Sequence, residues 1–127
     1  MSAFTGPLTL THLDADWRKW RLESALRYEV GALGSGCFID VPIGFVTDGA
    51  SVPRFLWALL PSWGRYSRAA VIHDYLYARL HSGVAHPEAP NWSKADAVFY
   101  EAMAASGVSA MVRYLMWAAV RAASLLY

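Results

Sequence analysis

The chain has 127 residues, 56% of them hydrophobic and 17% charged, with a formal net charge of +1. That length fits one domain large enough to bury a real core, and the scattered, nearly balanced charges exclude the electrostatic footprint of a nucleic-acid binder. Cys37 is the only cysteine, which excludes an intramolecular disulfide and a cysteine-built zinc site and suits a reducing compartment.

The N-terminal stretch "MSAFTGPLTLTHLDADW" has neither the basic start nor the apolar core of a signal peptide. Strands are expected next. "PLTLTHL" and "WRKWRL" alternate, "ALRYEVG" follows a short turn signal, and "CFIDVPIGFVTD" is rich in β-branched and aromatic residues. Gly31, Gly34, Ser35 and Gly36 form the turn between the last two. Pro42 inside the fourth run predicts an edge position or a bulge.

After Asp48 the pattern becomes helical. "SVPRFLWALLP" predicts a short helix, with Ser51 as N-cap and Pro53 in the first turn. The spacing of Ala69, Ile72, His73, Leu76, Tyr77 and Leu80 predicts a longer helix from Ser67 to Ser82, ended by Gly83. After the loop "VAHPEAPNW", "SKADAVFYEAMAASG" predicts a third helix with Ser93 as cap and Gly107 as stop. The last run, Val108 to Tyr127, is apolar except for Arg113 and Arg121. A central arginine is costly in a spanning helix, so a buried or interface-lying helix is expected, with membrane association as the alternative. The expected fold is a single α+β domain: a small antiparallel sheet over residues 1–48, then three or four helices over residues 49–127.

Polar residues set into these apolar helices are the candidate chemistry. His73 and Tyr77 are four apart and share a face, while Asp74 is turned about 100° from His73. If the next helix packs antiparallel, Asp96 can face the histidine, fix its tautomer and leave the other ring nitrogen as a general base. Plainer readings stand beside this one. His73 and Asp74 can be structural, Tyr77 can be core with a bonded hydroxyl, and Ser93 with Asp96 has capping-box spacing. Asp48 and Ser51 suit a strand-to-helix turn, where a helix N-terminus and Arg54 could also receive an anion. His81 and His86 follow His73 at spacings of eight and five, a weak zinc pattern. A Ser-His-Asp hydrolase built on Ser51 lacks the Gly-x-Ser-x-Gly elbow.

"RAAVIHDYLY" resembles the active-site helix of phospholipase A2, with Ala69 and Ala70 where that family has paired cysteines. "KADAVFYEAM" is similar to the helix that follows it, and the disulfide-free viral capsid phospholipases are the closer analogy. The resemblance implies His73 as the base activating water, Asp74 as a calcium ligand, and Tyr77 and Asp96 orienting the histidine. Calcium would polarise the ester carbonyl. Asp48 would be a second carboxylate for the cation, since hard cations take oxygen ligands.

A second resemblance covers residues 40–104. "VPIGFVTDGASVPRFLW", "GRYSRAAVIHDYLY" and "KADAVFYEAM" resemble, in order, the signatures of a bacteriophage and prophage protein family of uncharacterised activity. It implies a phage origin, with the host cytoplasm or the virion as the location. Two functions remain open. One is a cation-dependent lipid ester hydrolase acting at entry or lysis. The other is a virion, tail or assembly component whose His-Asp-Asp cluster is structural. The expected partners are membrane lipid, virion proteins or a second copy meeting through the C-terminal helix, and not nucleic acid.

Overall fold

The computed structural model describes residues 3–5, 8–13, 19–31, 34–47 and 67–125. Among these, the strands are β1 (Ala3–Thr5), β2 (Leu10–His12), β3 (Trp20–Leu22), β4 (Leu26–Glu29), β5 (Phe38–Val41) and β6 (Val46–Thr47). They are followed by α1 (Ser67–His81), α2 (Trp92–Ala105) and α3 (Ala110–Ser124). The fold is α+β in the expected order. The short helix expected at 51–61 lies outside the described residues, as do Asp48, Ser51 and Arg54.

The strands make two three-stranded antiparallel sheets rather than one, in the orders β1-β4-β5 and β2-β3-β6. The reason lies in the fourth predicted strand, which splits at Pro42. Phe45 N–H bonds back to the Pro42 carbonyl and Gly44 sits at φ 88°, a left-handed conformation that glycine adopts without a Cβ clash. The chain thus turns a corner from β5, paired with β4, to β6, paired with β3. Pro42 marks that corner at the end of β5, an edge strand as one of the two expectations had it, and not a bulge within one strand.

Strand alternation points Leu26, Tyr28, Ile39 and Val41 inward, all fully or almost fully buried. Arg27 and Asp40 are cross-strand neighbours on the outer face and form a bidentate pair at 2.6 and 2.9 Å. The buried Glu29 carboxylate accepts from Gly34 N–H at 2.7 Å and so closes the glycine turn.

Helix α1 buries Ala69, Val71, Ile72, His73, Leu76 and Tyr77, and Gly83 at φ 86° follows its end. The cap of α2 is a correction to the sequence reading. Asn91, not Ser93, is the N-cap, its side chain accepting from Lys94 N–H at 2.8 Å. Ser93 sits inside the first turn and is exposed, so no capping box with Asp96 forms. The sheet grips α2 through Glu101, whose Oε1 accepts from the Tyr28 hydroxyl at 2.7 Å and from Gly31 N–H at 2.8 Å.

Helix α3 is shorter than its apolar run, capped by Ser109 and ending at Ser124. It buries Met116, Val120 and Ser124. Its other side shows Met111, Tyr114, Leu115 and Leu125, at 72, 58, 45 and 80% exposure. No helix among the described residues is long and apolar enough to cross a membrane.

Candidate functional site

Contacts between α1 and α2 descend one helix as they climb the other. His81 meets Trp92, Tyr77 meets Trp92 and Asp96, and His73 meets Asp96 and Phe99. The two helices are therefore antiparallel. That register brings a histidine, a tyrosine and a carboxylate to one buried point. It works because His73 and Tyr77 lie one turn apart, and because the buried Ala69 and Ala70 leave room for close packing at the start of α1.

Asp96 is the hub. Its Oδ1 lies 2.7 Å from His73 Nε2 and accepts from the Tyr77 hydroxyl at 2.6 Å. Its Oδ2 accepts from Arg121 Nη1 at 2.9 Å. His73 and Asp96 have no solvent exposure. The imidazole packs against the Tyr77 and Phe99 rings, with centroids 4.2 and 4.5 Å away.

The donor pattern fixes the chemistry. An ionised carboxylate only accepts hydrogen bonds, and tyrosine and arginine both donate here. His73 Nε2 must then carry a proton to share with Oδ1, so in the neutral imidazole Nδ1 holds the lone pair.

Asp74 takes a different direction. Its Oδ2 accepts from the Thr47 hydroxyl at 2.6 Å, tying α1 to β6. The structure therefore brings His73, Tyr77 and Asp96 together, and it directs Asp74 toward the strand instead. Calcium takes six to eight oxygen ligands. Among the described residues no group of three or more His, Cys, Asp or Glu converges to hold a metal ion; Asp48, the second carboxylate expected for a cation, lies outside them. The zinc pattern does not assemble there either. His81 is exposed beside the Trp92 ring, and His86 Nδ1 accepts from Glu88 N–H at 3.0 Å. Burial, helped by the nearby Arg79 charge, lowers the His86 pKa from its ordinary value.

Arg121 is the member that sequence reasoning missed. Its signal was present: no acidic residue follows Glu101. A carboxylate partner for an arginine of α3 must therefore come from another element, as it does for Arg121.

A family model described as "Protein of unknown function (DUF1353)" matches residues 20–120. The chain belongs to the DUF1353 family. The match runs from β3 into α3 of this DUF1353 chain, so it includes His73, Tyr77 and Asp96 and stops one residue before Arg121. A relative named "Uncharacterized protein y4jT", from Sinorhizobium fredii (strain NBRC 101917 / NGR234), is 38% identical over 82 residues. Those residues are 63% of this chain and 22% of the relative, so the DUF1353 chain aligns with about a fifth of that protein's length. No solved structure matches it.

Proposed function

We propose that this chain is a water-activating hydrolase of phospholipase A2-like chemistry, acting on a lipid ester. The supporting observation is the buried clasp of Asp96 and Tyr77 on His73, which favours the tautomer with its lone pair on Nδ1. In this reading the packing over the buried His73 opens to admit water with the substrate, and Nδ1 takes a proton from that water as its oxygen attacks the ester carbonyl. Asp96 stabilises the imidazolium that forms. Collapse of the tetrahedral intermediate expels the alcohol, which leaves with the proton from Nδ1. No step is routed through a cation. A bacteriophage setting, at entry or lysis, belongs to the same proposal and rests on the Gly-Phe-x-Thr-Asp-x-Ala-Ser-x-Pro-Arg and His-Asp-x-Leu-Tyr segments.

A specific observation favours a second reading. His73 and Asp96 are wholly buried, as befits a lock joining three helices. The protein would then be a virion, tail or assembly component, docking through the apolar face of α3 to another protein, a lipid surface or a second copy.

One substitution separates the two. Glutamine at position 73 keeps an N–H donor for Asp96 but cannot act as a base. The hydrolase reading expects wild-type protein to hydrolyse phospholipid vesicles and His73→Gln to lose at least about 100-fold of that rate, in the range general-base catalysis contributes, with its melting temperature little changed. Running the assay in calcium and in chelator tests the cation expectation directly. Vesicles left intact by the wild type, together with co-sedimentation on assembled particles, would replace the hydrolase reading with the structural one.

A further inference from the structure

We infer that Arg121, supplied by the C-terminal helix, is a positioning residue of the His73–Asp96 site. The inference rests on the reading of that pair as a working site. A carboxylate can turn about its Cβ–Cγ bond, and its plane must be held for one oxygen to serve His73 at 2.7 Å and Tyr77 at 2.6 Å together. Arg121 holds the opposite oxygen, Oδ2, at 2.9 Å. The three donors thus divide the two oxygens between them, two on one and one on the other.

The fold supplies this arginine in a fixed place. Val120, the residue before it, is fully buried, and so is Met116 one turn earlier. The Ser124 hydroxyl bonds the Arg121 carbonyl at 2.7 Å. The other arginine of α3 has a separate task. Arg113 bonds the Val108 carbonyl at 3.0 Å and lies over the Tyr100 ring, fastening the α2–α3 connection. Arg121 is aimed at the carboxylate and Arg113 is not.

Charge points the same way. Asp96 has no contact with solvent, whereas the Arg121 side chain keeps 29% of its exposure. A buried carboxylate needs a cationic partner or several donors. Arg121 provides a permanent positive charge at modest desolvation, so the imidazole need not supply it. Helix α3 is therefore part of the site and not only its cover.

The test uses the full chain with Arg121→Lys and Arg121→Met. Three things are read: kcat and KM on phosphatidylcholine–phosphatidylglycerol vesicles, thermal unfolding, and the ¹⁵N spectrum of the His73 ring. Partners that orient a metal-ligating histidine typically cost about 10–100-fold in activity when removed, and the same scale is expected for a group that orients the carboxylate behind His73. Arg121→Met should lose that much in kcat with KM little changed, and its His73 spectrum should move from one Nε2–H tautomer to a mixture. Arg121→Lys should recover most of both. A folded Arg121→Met with the wild-type kcat and ring spectrum would overturn the inference. Should Arg121→Met fail to fold, Arg121→Gln is judged by the same two criteria. Vesicle hydrolysis absent from the wild type removes the hydrolase reading alone, because the ring spectra still decide whether Arg121 sets the histidine.

Discussion

Asp96 bonds three side chains on two other helices while showing no surface to water. Breaking such a network from one side leaves donors buried without an acceptor, which costs far more than an exposed ion pair contributes. Asp96→Ala should therefore lower unfolding stability by about 3 kcal/mol in a denaturant titration. A loss below about 1 kcal/mol would mean that the donors find other partners and that Asp96 is no hub. At this scale much of the cluster was legible. The four-residue spacing of His73 and Tyr77 puts both on one face, and an aspartate among Ala95, Val98 and Phe99 stands out in an apolar helix. Ser93 misled, because Ser-x-x-Asp spacing cannot tell a cap from a first-turn residue when Asn91 stands two positions earlier. Arg121 was hidden by distance: 25 residues separate it from Asp96, and only the tertiary packing of α3 joins them.

At the scale of elements, hydrophobic period gave α1 almost to its ends and gave the order of the strands. It did not give the break at Pro42. The β-branched and aromatic residues run on both sides of the proline, and the switch of sheet depends on which strand each half meets. Strand β1, paired through Phe4 and Tyr28, was also missed, since three residues are too few to show an alternation. The beginning of α2 matters most to the site, because it sets the register that brings Asp96 under His73. Its cap is a single side-chain bond from Asn91, and Asn91→Ala should cost about 1 kcal/mol of stability, measured by thermal or denaturant unfolding. Ser93→Ala should cost almost nothing, and the reverse order of the two effects would contradict the assigned cap.

For the molecule as a whole, the strand half and the helix half meet through a few polar bridges across an apolar core. Thr47 bonds Asp74 on α1, while Tyr28 and Gly31 bond Glu101 on α2. Helix α3 then closes over α2 and reaches Asp96 through Arg121. The α+β class was readable from composition and period, whereas the convergence of three helices on one carboxylate was not. That convergence makes the state of the His73 ring a report on the whole assembly. Its most direct measurement is a long-range ¹H–¹⁵N spectrum of the imidazole in the intact wild-type chain. The proposed site predicts a single Nε2–H tautomer, with a strongly hydrogen-bonded proton at Nε2 and the lone pair on Nδ1. A ring protonated at Nδ1 with a bare Nε2, or an even mixture of the two tautomers, would contradict it.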